Sequence, residues 1–342
     1  MTMKKILCAL LAILMIASAL VLTACNKEEN LKFGMGVYSC YDKVTNANGD
    51  TSGEGTVVST VAAVLLDKDG KIVKCEFDTT SNTVKYTSKG EFVIPDSFKT
   101  KYELGDNYGM KKKTPDAFGS DEEWYTHANA FKTVVIGKTI DQVKALVAEG
   151  DTGTDEVINA GCTIKINDFV LAIEKAVKNA KDSDAVAADT LKVAITTLVD
   201  TSKTKNATDD TKGAIELDMS FAAAVVNAEG KVVVSTTDAA GVKFGFDAKG
   251  NATTDKNTAL SSKIELGDSY GMKKKTPDAF GSDREWYEHA AAFDAACKGK
   301  TATEIAALAA TDGKPVESLQ TAGCTITVSG IVKAAVKAAT IG

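Results

Sequence analysis

The stretch from Glu103 to Tyr125, Glu-Leu-Gly-Asp-Asn-Tyr-Gly-Met-Lys-Lys-Lys-Thr-Pro-Asp-Ala-Phe-Gly-Ser-Asp-Glu-Glu-Trp-Tyr, is written a second time from Glu265 to Tyr287, with only Asn107/Ser269 and Glu122/Arg284 changed. Any fold of this chain must find a place for it twice. The same offset of 162 residues carries Ala160-Gly161-Cys162-Thr163 onto Ala322-Gly323-Cys324-Thr325 without a gap. Elsewhere the halves differ, so the kept spacing predicts one structural unit used twice, each copy with a site built from both motifs.

A chain of 342 residues suits two domains, and a half of about 150 residues can bury about two thirds of its unfolded surface without staples. Charged residues make up 25% and the net charge is −6, which argues against a nucleic-acid partner, since such surfaces are basic. Lys4 and Lys5 precede an apolar run from Ile6 to Val21, too short and too near the start for a spanning helix, and this is the pattern of an export signal over residues 1–24. Leu22-Thr23-Ala24-Cys25 resembles a bacterial lipobox. That resemblance implies cleavage before Cys25, a diacylglyceryl thioether on it, and stable anchoring by more than one acyl chain, with residues 25–30 as a lipidated tether. A plain secretory signal with an incidental cysteine is the alternative. Cys40, Cys75, Cys162, Cys297 and Cys324 remain, an odd number that cannot all pair.

Hydrophobic patterning then places the elements. Alternation begins over Gly36 to Tyr41, and Val57 to Leu66, Lys68-Asp69-Gly70 and Lys71 to Phe77 predict a β-hairpin, because Asp-Gly supplies positive φ between β-branched runs. A further hairpin is expected at Thr83 to Tyr86, Lys89-Gly90 and Phe92 to Ile94, and the second half follows suit over Leu191 to Ile195, Ala214 to Val226, Lys231 to Val234 and Val242 to Phe246. Ser120 with Glu123 and Ser282 with Glu285 predict capping boxes. They would open helices whose inward faces are Trp124, His127, Ala128, Phe131, Val135 and Trp286, His289, Ala290, Phe293, Cys297. Gly137 and Gly299 end these. Thr139/Gln142 and Thr301/Glu304 cap the next pair, which carry Ile140, Val143, Val147 and Ile305, Leu308, Ala309. Ala-Gly-Cys-Thr leads in each half into a β-like Ile164-Lys165-Ile166 or Ile326-Thr327-Val328. A last helix follows, capped by Asp168 in the first half, with Phe169, Ile173, Ala176 and Val177 inward, and by Ser329 in the second. The expected class is α+β, two tandem units of a small antiparallel sheet with packed helices, over residues 31–181 and 189–342, joined by a linker over 182–188.

A hairpin with a Lys-Asp-Gly-Lys turn, then helices, then Gly-x-Thr running into a terminal amphipathic helix resembles the FMN-binding domain family. The arrangement in full, with Tyr-Gly-Met-Lys before a Glu-Trp-Tyr helix and a lipobox ahead, resembles the extracellular flavoprotein lipoproteins of Gram-positive flavin-based electron transfer. The resemblance covers nearly all of the mature chain. It implies that a flavin transferase joins FMN phosphate to the hydroxyls of Thr163 and Thr325, giving two covalent FMN groups. It also implies a carrier at the outer face of the cell membrane, between a quinone-linked membrane donor and extracellular acceptors such as ferric iron. The chain departs from the family's Ser-Gly-Ala-Thr signature at Ala160, Ala322, Cys162 and Cys324, and Val157 and Leu319 stand where an acidic residue is expected.

The residues are chemically suited to that role. A phosphoester needs a hydroxyl, and Gly161 and Gly323 keep the preceding backbone free of side-chain bulk. Tyr108-Gly109-Met110 and Tyr270-Gly271-Met272 are the candidate isoalloxazine contacts: Tyr stacks, Gly permits close approach, Met fills irregular space. A packed loop that only positions the following helix is the other reading. Lys111 to Lys113 and Lys273 to Lys275 face either a phosphate or solvent. Trp124 and Trp286 are expected in the core, Cys162 and Cys324 as small packing thiols, and His127 and His289 as ordinary helix residues, with no metal site. No nucleophile, base and orienter constellation is visible, so a carrier is expected and not a catalyst. The alternative function is a ligand-binding or adhesive surface lipoprotein without a cofactor.

Overall fold

The computed structural model describes residues 29–113, 122–275 and 284–340. The signal segment, Cys25, residues 26–28 of the tether, Ser120 and Ser282 lie outside these, and no helix among the described residues is long and apolar enough to cross a membrane.

The architecture is mixed α+β with antiparallel sheets. Strands β1 (Lys32–Thr45), β2 (Gly53–Leu66), β3 (Ile72–Tyr86), β4 (Phe92–Val93) and β5 (Lys181–Asp182) form one sheet in the order β4-β3-β2-β1-β5. Strands β6 (Thr190–Val199), β7 (Gly213–Val226) and β8 (Val232–Phe246) form the other, in the order β6-β7-β8. The β2–β3 turn forms where Asp-Gly predicts it. Asp67 Oδ1 accepts the amides of Asp69 and Lys71 at 2.9 and 2.8 Å, and Gly70 takes φ 75°. Asn227 and Gly230 repeat this between β7 and β8. The further hairpin forms as expected, Lys85 and Tyr86 pairing with Val93 and Phe92 around Gly90, and its first arm is the end of a β3 that is continuous from Ile72. The part of the expected linker at Asp182 is strand, pairing with Lys32, and Ala185 is buried with its carbonyl accepting the Leu31 amide.

The helices are α1 (Lys101–Leu104), α2 (Met110–Lys113), α3 (Trp124–Val135), α4 (Ile140–Lys144), α5 (Asp155–Asn159) and α6 (Asn167–Asn179) in the first half. In the second they are α7 (Lys263–Leu266), α8 (Met272–Lys275), α9 (Trp286–Cys297), α10 (Ala302–Ala306), α11 (Glu317–Thr321) and α12 (Ser329–Ala339). The expected inward faces of α3 and α9 are all buried, and the capping boxes on Thr139 and Thr301 are present. α4 and α10 stop short of Val147 and Leu308. Asp168 and Ser329 are not caps; both sit inside the first turn, behind Ile166 and Val328. Ile164–Ile166 and Ile326–Val328 are irregular chain and not strands. The Ile166 amide donates to Asp151 O and the Val328 amide to Gly313 O, bonds to loops that leave no ladder to join.

Each sheet has two apolar faces. The outer faces pack on their own helices, with Phe77, Phe131, Ile166 and Ile173 in the first half and Phe293, Leu319, Val328 and Ile331 in the second. The inner faces pack on each other, so Val57, Val61, Leu65 and Tyr86 share one core with Leu217, Phe221, Val225 and Phe246. Tyr86 and Phe246 stack with centroids 4.8 Å apart and planes 3° from parallel. Contacts across the interface are reciprocal. Ala47 N donates to Gly250 O and Ala207 N to Gly90 O, both at 2.8 Å. Lys337 pairs with Glu103 at 2.6 Å, and Lys175, at the equivalent place, pairs with Glu265. The glutamate that opens each duplicated stretch therefore binds the opposite half.

Tyr86→Ala is expected to cost about 3 kcal/mol or more, since it removes a fully buried ring from this central core; chemical denaturation measures it. A second expectation concerns pH. On α9 the half-buried Asp294 has a carboxyl that accepts from Thr237 N and Oγ1 at 3.1 and 2.9 Å. Burial pushes it up from 3.8 to about 8, the Thr237 bonds opposing. The unfolded chain ionises it first, so its contribution to stability is complete at acid pH and is lost as pH climbs through about 8. Asp294→Asn should flatten the decline in melting temperature between about pH 5 and about pH 9.

Candidate functional site

Ala-Gly-Cys-Thr sits at the end of a short helix in both halves. Ala160 and Ala322 are the C-terminal caps of α5 and α11, and the glycines take φ 100° and 103°, a conformation open to glycine and strained for other residues. The turn drives Cys162 and Cys324 into the helix-side cores, where both are fully buried and burial raises each thiol to about 11. These are packing thiols at neutral pH, and the five cysteines among the described residues are free. Val157 and Leu319, at the places where the resemblance expects an acid, are buried in the same cores.

The threonines that follow are held by the two histidines, a role that their placement on α3 and α9 did not suggest. His127 Nδ1 lies 2.9 Å from Gly161 O and 3.3 Å from the Thr163 amide. His289 Nδ1 lies at the same 2.9 and 3.3 Å from Gly323 O and the Thr325 amide. The carbonyl needs a donor and the amide needs an acceptor, so one nitrogen serves only one of them. The shorter contact assigns the proton to Nδ1 and leaves Nε2 an acceptor. Both rings are fully buried, and burial, helped by the Arg284 charge, lowers the pKa of His289. In each half the histidine Nε2 and the threonine Oγ1 are buried without a hydrogen-bond partner. Buried polar atoms are nearly always satisfied, so an orphaned pair repeated in both halves marks a place made for another group.

Next along the chain from Thr163, which does not itself line it, opens a cavity of about 370 Å³ whose lining includes Ile164, Lys165, Tyr108, Met110, Trp124 and Asp168. The loop named from the sequence and the chain after the threonine thus face one space. Glu123 positions the loop. Expected as the third residue of a capping box, it is the N-cap of α3, and its buried carboxylate accepts the Met110 amide at 2.9 Å; Glu285 does the same for Met272 at 2.8 Å. The carboxylate is favoured there by the dipole of the helix it begins. Gly109 and Gly271 take φ 68°, which turns the chain between tyrosine and methionine. Lys101 lies 5.2 and 5.3 Å over the rings of Tyr108 and Trp124, and Lys263 lies 5.4 and 5.2 Å over Tyr270 and Trp286. Neither lysine was singled out in the sequence, although both obey the 162-residue offset. Lys111 pairs with Glu122 at 3.9 Å and Lys273 with Glu288 at 3.3 Å; the side chains at 112, 113, 274 and 275 lie outside the description.

The two sites differ in size. The equivalent space in the second half, lined by Lys263, Trp286, Thr327 and Gly330, is about 170 Å³. The last helix is also seated differently in the two halves. α6 touches its sheet most closely near its C-terminal end, where a Cβ on Gly34 would meet Ala176 O at 2.1 Å and one on Gly36 would meet Ala172 O at 2.4 Å. α12 touches at its N-terminal end, where a Cβ on Gly330 would meet Ser220 Oγ at 2.5 Å. The first site is also acidic, lined by Asp42, Asp151 and Asp168 against Lys101 and Lys165. Burial pushes Asp168 up, Lys101 works against the rise, and Asp151 and Asp42 add to it. No group of metal-ligating side chains occurs among the described residues.

His127→Phe keeps the ring volume and removes the Nδ1–H that holds Gly161 O, so the turn should open more readily and amide exchange at Thr163 should quicken about tenfold while exchange at Thr325 is unchanged. Peptide-resolved hydrogen exchange reads both, and equal exchange at Thr163 would exclude the histidine as the anchor of the turn. Comparison with protein-family models, curated proteins and solved structures finds no match to this chain.

Proposed function

We propose that the two halves are copies of one FMN-binding unit, and that the protein is a lipid-anchored extracytoplasmic flavoprotein carrying FMN in phosphoester linkage on Thr163 and Thr325. It would relay electrons from a quinone-linked membrane donor to extracellular acceptors such as ferric iron, as a carrier and not a catalyst. The observation that carries this reading is the unpartnered threonine hydroxyl, buried at the same place in both halves beside an unpartnered imidazole nitrogen. Buried hydroxyls are nearly always partnered, and among the described residues Ser235 carries the one other that is not.

The residues present fit the group. Threonine supplies the oxygen for the ester, and the glycine two residues before it leaves the backbone open at Gly161, while Arg284 covers it at Gly323. Tyr108, Met110 and Trp124 offer an apolar and aromatic wall beside Thr163, with Lys101 over two of the rings. Asp42 and Asp168 suit the hydroxyl and N–H donors of a flavin, while Lys165 carries the charge that suits its phosphate. Bound FMN supplies one- and two-electron redox chemistry, and the chain sets its exposure and surroundings. The hydroxyls are covered, so attachment requires the turn after Gly161 or Gly323 to open toward the transferase. A second reading, a cofactor-free surface lipoprotein that binds a ligand or another surface, is favoured by the carboxylates of the first cavity, which repel a phosphate.

The chain purified from its own cell envelope, or made with a flavin transferase, should be yellow and keep its flavin through denaturation. Thr163→Ala and Thr325→Ala should each remove one flavin by intact mass. A colourless protein with unmodified peptides at both threonines would leave the second reading.

A further inference from the structure

The duplicated stretch changes charge at one position, Glu122 against Arg284, and Arg284 is the only arginine in the chain. Its guanidinium lies on the motif glycine of its own half. A Cβ on Gly323 would fall 2.2 Å from Nη1 and 3.1 Å from Nη2, so the planar fork occupies the space that the missing side chain leaves. At Gly161 the nearest neighbour is the Ala130 methyl, at 3.8 Å, and Glu122 points its charge at Lys111 on the surface. Arg284 is exposed, and its charge reaches the buried His289, whose Nδ1 meets Gly323 O and the Thr325 amide. Around Thr325 the chain thus gathers a guanidinium, a fully buried imidazole with an orphaned Nε2 and an orphaned hydroxyl.

A guanidinium presents parallel N–H donors that match two oxygens of a phosphate, a fit that lysine does not reproduce. From this geometry we infer that the two threonine sites are not equivalent, and that Arg284 is the phosphate-recognising residue of the Thr325 site. The inference rests on the proposal that both threonines carry flavin phosphate. Thr325 Oγ1 attacks the phosphorus of a flavin phosphoanhydride presented by the transferase. The Oγ1–P bond forms and the anhydride P–O bond breaks. The leaving phosphate ester takes the bonding pair, and the hydroxyl proton passes to a base of the transferase. Nothing is oxidised or reduced. Arg284 holds the charge that builds on the phosphoryl oxygens and then pairs with the phosphodiester, whereas Thr163 is modified beside an acidic cavity and a glutamate.

The test follows both peptides by mass spectrometry while the full chain is modified by transferase and donor. Arg284→Glu, which installs the residue of the first half, should slow modification of Thr325 about tenfold or more and leave Thr163 unchanged. Arg284→Lys should fall between. Glu122→Arg should speed modification of Thr163. If both threonines are modified in the native chain and Arg284→Glu leaves the Thr325 rate unaltered, the inference falls and the flavin reading stands. If neither native threonine is modified, both fall. Arg284 is exposed and at a helix start, so loss of fold is not expected, and an unchanged melting temperature of Arg284→Glu checks this.

Discussion

The structure depends on the burial of one sheet face against the other. β2 and β7 are covered on both sides, by helices outside and by the opposite sheet inside, and nearly every residue of each is buried. A central strand in that position reads as a continuous apolar run and not as an alternation. Take away the second sheet, and Val57, Val61 and Leu65 face water together, an area no monomeric domain of this size leaves bare. The halves thus share one core at the centre, and each carries its own helix-side core outside it.

That arrangement explains where the duplicated residues went. Glu103 and Glu265 reach across to the last helix of the opposite half, and the turns at Gly90 and Gly250 each accept from the opposite half. Burial resists ionisation of Glu103, yet Lys337 and the Thr100 amide together hold its carboxyl below the usual range. The reciprocity is that of an isologous interface, in which the same patch serves both partners. Each exposed ion pair adds at most about 1 kcal/mol; register is their contribution, and the apolar faces supply the energy.

Much of this was legible in the residues. The hairpin turns at Asp67 and Asn227, the inward faces of α3 and α9, and the capping boxes on Thr139 and Thr301 follow from local chemistry, because turn amides, helical period and orphan helix donors are satisfied within a few residues. What was not legible depends on distant pairing. Periodicity cannot say that the inner faces of two sheets meet, since an apolar face records burial and not its partner. Asp168 carries the composition of a cap but lies two residues late, because Ile166 already caps the helix. The histidines were illegible for the same reason. On a helix they read as ordinary inward residues, and only the fold brings Nδ1 to a carbonyl from a turn 34 residues away. The clue lay in the offset, which kept both histidines and both threonines in step.

The last helix meets its sheet at different places in the two halves. Glycines on β1 admit α6 at Ala172 and Ala176, and about 370 Å³ stands open in the first half; Gly330 admits α12 at Ser220, and about 170 Å³ stands open in the second half. The guanidinium stands against Gly323 in the half with the smaller space, which Asp218 and Lys263 line, and three carboxylates line the larger one, so charge and space both differ between copies of one motif. A group that is apolar and wide at one end and anionic at the other would meet its two ends unequally in the two halves. Identical motifs placed on differently seated helices therefore need not do identical work.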